Sequence, residues 1–218
     1  MCNANCILFG AMNLREKDIE GKRVIEIGSC DINGSLRPLM ESYNPAKYIG
    51  IDLVQGPCVD IVCSIRDVVD RFGEESFDVV ISNEMLEHIK DWRMAIHNIK
   101  SICRKGGIIL LTTRSRGVQY HGHPYDFWRY EIEDMRNIFS DCQIEKLEKD
   151  PKMGVFIKAI KPNDFIEKDL SNQALYSIVL DKRIIEIDKK EYAKRFKKIS
   201  KKEKLKTLYD GIRRILIG

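Results

Sequence analysis

The apolar residues of this chain fall into short runs, each of which ends in polar residues or glycine. The runs are six or seven residues long and almost continuous, a pattern typical of parallel strands that are covered on both faces. The predicted strands are Arg23–Gly28, Lys47–Asp52, Val59–Ser64, Phe77–Asn83 and Ile108–Thr113.

Two segments between these runs carry the signals of capped helices. Ser35 precedes the segment LRPLMESY, and Asp91 precedes a segment whose apolar face includes Trp92, Ile96 and Ile99. Side-chain oxygens at such positions accept hydrogen bonds from the free N–H groups of the first helical turn. The alternation of strands with helices of this length predicts a doubly wound α/β sheet.

The alternation stops beyond Thr113. A polar and aromatic loop, Arg114–Tyr130, leads to a short predicted helix over Glu131–Phe139. Two further strand-like runs, Cys142–Glu148 and Met153–Ile160, follow with only the segment KDPK between them. So short a connection predicts a hairpin, and we therefore expect the sheet to end in an antiparallel pair.

Charge divides the chain into two parts. The net charge of the whole chain is +4, but residues 182–218 alone carry +9, which leaves −5 on the first 181 residues. We predict one mildly acidic domain over residues 1–161, followed over residues 162–218 by a linker and a basic amphipathic helical tail. Most such helices bury their apolar face on their own domain or on a twin chain, while an anionic membrane surface and RNA phosphates are the alternatives. The apolar face of the tail consists of Leu205, Leu208, Tyr209, Ile212, Ile215 and Leu216.

The cysteines and the N-terminal segment indicate the cellular compartment in which the protein is expected. No apolar stretch approaches the roughly 20 residues of a membrane span. The N-terminal segment lacks a basic start and a cleavage site of small residues, and is therefore a poor signal peptide. Seven cysteines without a secretory signal predict a reduced, cytoplasmic protein. Cys2 and Cys6 would begin an iron–sulfur motif, but Phe9 takes the place of the third thiolate.

The segment VIEIGSCDINGS predicts a strand that turns into a helix over a ligand. A dinucleotide fingerprint would need glycine in place of Cys30 and Asn33, and a phosphate-binding loop would need a lysine that is missing here. Glu26, two residues before Gly28, would repel a phosphate but suits a ligand with an ammonium or sulfonium charge. Asp52 ends the next strand, where a carboxylate can accept both hydroxyls of a ribose.

The chain resembles the class I S-adenosylmethionine-dependent methyltransferases over residues 20–161, in the segments VIEIGSCDINGSLRP, YIGIDL, VDIVCSI, FDVVISNEMLEHIKDW, CRKGGIILLTT and HGHPYDFWRYE. The particular likeness is to small bacterial and archaeal methyltransferase-domain proteins with a lengthened G-S-x-D-x-N-G-S turn. The resemblance implies a mostly parallel, seven-stranded Rossmann-like sheet, with S-adenosylmethionine as cofactor and S-adenosylhomocysteine as product. The cofactor-binding residues that it implies are Glu26, Gly28, Ser29, Cys30, Gly34, Asp52, Leu53, Ser64, Ile65, Asn83 and Glu84.

The same resemblance gives these residues their roles. The glycine turn lies under the amino-acid end of the cofactor, Asp52 binds the ribose, and Leu53 lies beside the adenine. Asn83 and Glu84 border the methyl donor. The chain departs from the common pattern in two ways: the turn is two residues longer without its middle glycine, and Ser64 replaces an aspartate that often meets the adenine amino group.

The segment YHGHPYDFWRY places aromatic rings beside histidines and charged groups just after a strand end. We interpret it as a lid over the acceptor pocket, with a packed aromatic loop as the alternative. The candidate bases are His88, His123, Asp126 and Tyr125, among which the sequence does not choose. For His88, packing beneath the site is slightly favoured over a catalytic role. His121, His123 and Asp126 have the side chains of a metal site, but methyl transfer needs no metal and we predict none.

The sequence leaves the acceptor open among sugars, lipid-linked glycans, small metabolites, RNA and proteins. No N-P-P-[YF] segment follows the fourth strand, which disfavours methylation of nucleobase or glutamine amino groups. We predict a methyltransferase for an unidentified acceptor, a small molecule or sugar, and a possible homodimer through the C-terminal helix. Two rival functions are a nicotinamide oxidoreductase, which the missing glycines disfavour, and a non-catalytic methyltransferase-like module that docks on RNA or an anionic membrane through its tail.

Overall fold

The computed structural model describes residues 4–121 and 125–199, which form a central sheet with helices on both faces. No helix within these ranges is long and apolar enough to cross a lipid bilayer. The strands are β1 (Arg23–Ile27), β2 (Lys47–Asp52), β3 (Ile61–Val62), β4 (Phe77–Asn83), β5 (Cys103–Arg114), β6 (Trp128–Arg129), β7 (Gln143–Asp150), β8 (Gly154–Ile160), β9 (Leu175–Ser177) and β10 (Lys182–Ile184). The helices are α1 (Ala4–Asn13), α2 (Glu16–Ile19), α3 (Arg37–Ser42), α4 (Val68–Phe72), α5 (Trp92–Ile102), α6 (Ile132–Ile138) and α7 (189–199).

The large sheet has seven strands in the order β3-β2-β1-β4-β5-β8-β7. The pairs among β1 to β5 are all parallel, which confirms the predicted doubly wound, Rossmann-like architecture. The carboxyl ends of these strands therefore lie along one edge of the sheet. The chain reverses its direction of winding between β1 and β4, and open α/β sheets bind their ligands outside the strand ends at such a point.

The predicted antiparallel hairpin is confirmed at the end of the sheet. β7 and β8 pair antiparallel, and β8 also pairs antiparallel with β5, so that β8 is inserted between β5 and β7. The turn between β7 and β8 contains Met153 at φ 61°, and the Met153 amide donates a hydrogen bond to the carbonyl oxygen of Asp150.

Successive residues of the central strands pack into two separate cores. In β1, Ile25 and Ile27 join the core beneath α4, α5 and α6, whereas Val24 joins the core beneath α1, α2 and α3. Glu26 follows the alternation and points to the α1–α3 side, because neighbouring side chains of a strand point to opposite faces. The Glu26 carboxyl thus belongs to a strand that is buried from Val24 to Ile27.

The structure differs from the sequence prediction at several elements. α3 begins at Arg37 with Leu36 as its N-cap, so Ser35 is not the predicted cap, although its hydroxyl accepts a hydrogen bond from the Arg37 amide at 3.0 Å. β5 begins at Cys103 and not at Ile108, because Cys103 pairs with Phe77 before an irregular step in the register. β3 is limited to Ile61–Val62, because within the predicted run Val59–Ser64 these are the residues that pair with β2. α1 was not predicted, and it packs against the domain through the buried side chains of Cys6 and Phe9.

The segment after residue 161, predicted to be a linker, contributes a second sheet. β9 pairs with β10 and with β6, which belongs to the lid segment. Arg93 on α5 anchors the segment by donating hydrogen bonds to the carbonyl oxygens of Leu170 and Gln173. The predicted apolar face of the tail, from Leu205 onward, lies outside the described residues.

Candidate functional site

The predicted glycine turn connects β1 to α3 and lies over the end of β2. The amides of Gly28 and Ser29 both donate to the carbonyl oxygen of Ile51, at 2.8 and 3.0 Å. Gly28 has φ 78°, and a Cβ atom there would lie 3.1 Å from the Met85 side chain, so this position requires glycine. Gly34 has φ 112° at the far end of the turn.

Glu26 is a buried carboxyl beside the turn, with only 4% of its surface exposed. Burial raises the pKa of Glu26 to about 7, although a hydrogen bond from Tyr48 pulls it down. The Tyr48 hydroxyl donates to Glu26 Oε2 at 2.7 Å. The carboxyl is therefore fixed in position, and its burial favours the protonated form.

A network that the sequence does not indicate holds Tyr48 in place. The guanidinium of Arg37 lies 5.2 Å from the centre of the Tyr48 ring, and it forms ion pairs with Asp60 and Glu41. Asp60 in turn accepts a hydrogen bond from the Gly50 amide at 2.7 Å. The network links the start of α3 to β2 around the base of the turn.

Asp52 ends β2 beside the turn, as predicted. Its Oδ2 atom accepts a hydrogen bond from the Cys30 amide at 3.2 Å, which ties the carboxylate to the glycine turn. Leu53 follows with 62% of its surface exposed, so its apolar side chain is available to a ligand. Ser29 is buried, and a Cβ atom at Gly50 would meet its hydroxyl at 2.7 Å, so the Ser29 side chain packs against β2.

A cleft of about 520 Å³ lies beyond Asp52, within the range of small-molecule sites. Ser64 lines it, and the Ser64 hydroxyl also accepts a hydrogen bond from the Arg66 amide at 3.2 Å. Ile65 is buried in the core beneath this cleft. Asp67, which sequence reasoning missed, adds a carboxylate to the cleft near the serine. The lining residues are Leu53, Val62, Cys63, Ser64, Asp67, Asp70 and Arg71.

Asn83 and Glu84 stand at the carboxyl end of β4, and both are buried. Glu84 has φ 55°, a backbone conformation that is uncommon outside glycine and often found at functional sites. Its carboxyl forms an ion pair with Arg114 and accepts a hydrogen bond from the Cys6 thiol at 3.4 Å. Burial, together with the charge of nearby Glu87, raises the pKa of Glu84 well above its usual range.

The segment predicted to be a lid contains a buried ion pair between Asp126 and Arg129. Both side chains are fully buried, and the guanidinium donates to both carboxylate oxygens. Burial alone would raise the pKa of Asp126, but hydrogen bonds from Arg129 and His121 hold it well below its usual range. Arg129 also donates to the carbonyl oxygens of Val118 and Gln119, so the pair fixes the path of the lid.

A second polar group lies where the lid meets the end of β4. Glu87 is completely buried, and its Oε2 atom accepts a hydrogen bond from the Thr113 hydroxyl at 3.0 Å. Its other oxygen, Oε1, lies 3.9 Å from Nε2 of His88 and 3.9 Å from Nε2 of His121. The two imidazole rings are 5.1 Å apart and nearly perpendicular. We call these three residues the Glu87 cluster.

The structure places the predicted catalytic candidates in different environments. His88 belongs to the Glu87 cluster, whereas Asp126 is occupied by Arg129 and positions the lid. Tyr125 has 48% of its surface exposed, and its carbonyl oxygen lies 2.6 Å from Nδ1 of His88. His123 lies outside the described residues. Glu87 was missed because a buried glutamate within a short turn carries no periodic signal in the sequence.

Comparison with known proteins gives a family match over most of the chain. Residues 8–149 match the family described as "Methyltransferase domain". The fatty-acid O-methyltransferase of Mycolicibacterium smegmatis is 24% identical over 153 residues, which cover 62% of this chain and 48% of that protein. The phthiotriol/phenolphthiotriol dimycocerosates methyltransferase of Mycobacterium tuberculosis is 31% identical over 101 residues, covering 41% of this chain and 37% of that protein. The chain thus spans less than half the length of these curated relatives.

Solved structures share the fold at lower identity. The 1,6-didemethyltoxoflavin-N1-methyltransferase of Burkholderia thailandensis, solved with 1,6-didemethyltoxoflavin and S-adenosylhomocysteine bound, matches with a TM-score of 0.59 and 14% identity. The match covers 72% of this chain and 79% of that chain. At this identity, the likeness shows a common architecture.

Proposed function

This chain belongs to the methyltransferase-domain family, and from that membership we propose that it transfers the methyl group of S-adenosylmethionine to a hydroxyl oxygen of a small molecule or sugar. One arrangement carries the proposal: the carboxyls of Glu26 and Asp52 lie at the carboxyl edge of the sheet, on either side of the glycine turn. Ligands of open α/β sheets bind at this edge.

Each part of the cofactor has a chemically suitable partner. Glu26 suits the ammonium of the methionine end, since a buried carboxylate attracts a cation strongly where water does not screen it. Asp52 suits the ribose hydroxyls, and Leu53 offers an apolar surface to the adenine. Asp67 supplies the carboxylate that Ser64 lacks, and it lines the same cleft as Leu53.

The chemistry at the end of β4 supports an oxygen acceptor. A hydroxyl must lose its proton during methyl transfer, and the Glu87 cluster presents one carboxylate and two imidazoles that can act on that proton. The O-methyltransferase relative from Mycolicibacterium smegmatis agrees with this chemistry. The sequence SNEMLEH, which spans the end of β4 and the turn after it, also departs from the pattern of nucleobase amino methylation.

Methyl transfer is an in-line displacement at a carbon that the sulfonium already activates. The acceptor oxygen forms a bond to the methyl carbon while the carbon–sulfur bond breaks, and its electron pair remains on the sulfur of S-adenosylhomocysteine. The protein contributes chiefly by holding oxygen and carbon about 3 Å apart and in line. The lid, fixed by Asp126 and Arg129, covers the edge at which this geometry is required.

The rival function of a non-catalytic docking module is not favoured by the family match. Both functions would allow the cofactor to bind, but only the enzyme converts it. A panel of sugars, diols and hydroxy acids, tested one at a time for release of S-adenosylhomocysteine, separates the two. A panel without turnover, together with tight binding of RNA or anionic vesicles by the full chain, would favour the docking module.

Cofactor binding is tested by calorimetry with S-adenosylhomocysteine on the full chain. Asp52→Ala is expected to weaken binding by about 10- to 100-fold, because charged hydrogen bonds to the ribose are lost. Asp164→Asn is a matched control, since Asp164 is exposed in a loop after β8. Tighter binding of NAD than of S-adenosylhomocysteine would overturn the proposal.

A further inference from the structure

The Glu87 cluster has the geometry of a cation site. Glu87 Oε1, His88 Nε2 and His121 Nε2 all lie within 4.8 Å of one another, and both distances to Glu87 are 3.9 Å. Two ligand atoms that are each about 2.0–2.2 Å from one ion lie at most about 4.4 Å apart. A cation between them therefore needs only small movements of the side chains.

The hydrogen bonds around His88 and His121 use the Nδ1 atoms of the rings and leave the Nε2 atoms available to bind a cation. His88 Nδ1 lies 2.6 Å from the Tyr125 carbonyl oxygen, which only accepts, so this nitrogen carries the proton. His121 Nδ1 lies 3.0 Å from a carboxylate oxygen of Asp126, which fixes the same tautomer. In each neutral ring the lone pair is then on Nε2, directed into the cluster. Histidines that bind metals are held in this way by a carbonyl or carboxylate behind the ring.

Two buried atoms of the cluster lack a hydrogen-bond partner. Glu87 Oε1 and His121 Nε2 are both inaccessible to solvent, and neither is hydrogen-bonded within the part of the chain that the structure describes. Buried polar atoms are almost always paired, so two that converge on one point indicate a ligand there. Protonation of both histidines does not account for these unpaired atoms. Two positively charged rings would then face the single oxygen Glu87 Oε1 at 3.9 Å, which is too long for a hydrogen bond.

We propose that Glu87, His88 and His121 bind a divalent first-row transition-metal ion, and that this ion binds two neighbouring oxygens of the methyl acceptor. Two imidazoles and one carboxylate suit ions such as Mn²⁺, Fe²⁺, Co²⁺ and Zn²⁺ better than Mg²⁺ or Ca²⁺. The cluster supplies three ligands, so coordination positions remain for the acceptor. This proposal contradicts our sequence-based prediction of no metal. Its ligands also differ from the set of His121, His123 and Asp126, because the Asp126 carboxylate forms an ion pair with Arg129.

The second half of this proposal depends on the proposed methyl transfer and narrows the acceptor to a vicinal diol or another chelating pair of oxygens. A bound cation lowers the pKa of a coordinated hydroxyl, as it does for bound water. The hydroxyl proton leaves to solvent, and the resulting oxygen anion attacks the methyl carbon. The carbon–sulfur bond breaks, and the electron pair leaves with sulfur as S-adenosylhomocysteine.

Metal binding is tested directly on the full chain after removal of metals with a chelator. Titration with Mn²⁺ by calorimetry is expected to give one site, and the visible absorption of Co²⁺ is expected to show nitrogen and oxygen ligands. Glu87→Gln and His88→Gln are each expected to weaken binding by about 100-fold. His97→Ala is the matched control, because His97 is exposed and pairs with Glu167 away from the cluster.

The outcomes separate the two proposals. S-adenosylhomocysteine affinity within about threefold of the original in Glu87→Gln shows that the variant is folded, and it tests the cofactor site independently of the metal. No Mn²⁺ or Co²⁺ binding by the full chain, equal binding by Glu87→Gln, or a cobalt–thiolate absorption band would each overturn the cation site. Metal binding without any S-adenosylhomocysteine binding would support the cation site and overturn the methyltransferase proposal.

Discussion

Glu26 is a residue at which cofactor binding and folding stability oppose each other. Its pKa of about 7 in the folded protein lies above the value of 4.5 for an unburied glutamate, chiefly because burial disfavours the charged form. The folded state therefore gains most from this group below pH 4.5, and loses that stability as the pH rises through about 7. The ionised form, which weakens the fold, is the form that attracts an ammonium group.

Glu26→Gln is accordingly expected to stabilise the free protein at pH 8 by about 2–3 kcal/mol, since it removes a buried charge. At pH 5 the variant and the original chain are expected to differ little in their free energy of unfolding. Urea unfolding at the two pH values measures the difference. S-adenosylhomocysteine affinity is expected to fall at least tenfold, and for the original chain to weaken below pH 7. Equal stability of the two proteins at both pH values would contradict this account.

Gly50 has a role in the glycine turn that the sequence does not show. A Cβ atom there would lie 2.1 Å from the Cys58 carbonyl oxygen and 2.7 Å from the Ser29 hydroxyl. Gly50→Ala is expected to destabilise the fold by about 1–3 kcal/mol and to weaken S-adenosylhomocysteine binding at least tenfold, because the turn must move. The measurements are thermal melting and calorimetry.

Gly21→Ala is the control for this substitution. Gly21 has φ 65°, but a Cβ atom at this position would meet nothing within 4 Å, so only backbone strain is added. Cofactor affinity is expected to remain unchanged in this variant. Unchanged affinity in Gly50→Ala as well would show that the turn tolerates displacement.

At the scale of elements, the lid depends on interactions with several distant parts of the chain. The Phe127 amide donates to the Glu87 carbonyl oxygen, and the Trp128 indole donates to the Lys90 carbonyl oxygen. β6 of the lid pairs with β9 from beyond the large sheet. These contacts hold the described part of the predicted lid segment in place around the Asp126–Arg129 pair.

Asp126→Asn is expected to destabilise the protein by about 3 kcal/mol, because it leaves the Arg129 charge buried without its counterion. Glu133→Gln is the matched control, since Glu133 forms an exposed pair with Arg136 at the same spacing and is expected to change nothing measurable. S-adenosylhomocysteine affinity of Asp126→Asn is expected to stay within threefold while methyl transfer is lost. Full methyl transfer by this variant would show that the pair is not needed to place the acceptor.

α7 packs its aromatic residues on the outer side of the lid. The Tyr192 ring stacks on Phe127 at 5.4 Å, and the Phe196 ring lies 6.0 Å from Tyr125 and 6.2 Å from Tyr120. Phe196→Ala is expected to increase amide hydrogen exchange of the lid, because these ring contacts are lost. Lys197→Ala, an exposed change on the same helix, is expected to leave exchange unaltered. Unaltered exchange in both variants would show that α7 does not restrain the lid.

At the scale of the whole molecule, the opposite charges of the two parts of the chain predict that the basic tail is attracted to the acidic domain. The −5 of the first 181 residues and the +9 that follows favour docking of the tail on its own domain or on a twin subunit. Truncation at Lys182 is a poor test, because it also removes β10 and the ion pair of Arg183 with Asp134. Truncation after residue 199 preserves these contacts.

The chain truncated after residue 199 is expected to melt at a lower temperature or to lose dimerisation, because the apolar face from Leu205 to Ile215 must be buried. Thermal melting and analytical ultracentrifugation measure the two effects. Unchanged melting and mass, together with binding to anionic vesicles or RNA by the full chain alone, would instead assign the tail to surface binding.

The sequence by itself determined the doubly wound sheet, the terminal hairpin and the glycine turn with Glu26 and Asp52. These features depend on periodicity and on residues adjacent to a strand end, which are local properties of the chain. The sequence also placed the helix cap at Asp91, whose side chain accepts a hydrogen bond from the Met94 amide at 3.3 Å. Local signals were sufficient wherever a functional or capping residue lies in the same short segment as the strand or helix that positions it.

Only the tertiary structure decided which polar groups meet across segments. Glu87 comes from the short turn Leu86–His88 after β4, and His121 comes from the predicted lid segment. The position of that segment depends on the buried Arg129 and on the pairing of β6 with β9. The Arg37–Tyr48 support of Glu26 arises in the same way, from an α3 residue that packs on β2. Such convergence depends on long-range packing, which fixes distances between side chains that no spacing along the chain encodes.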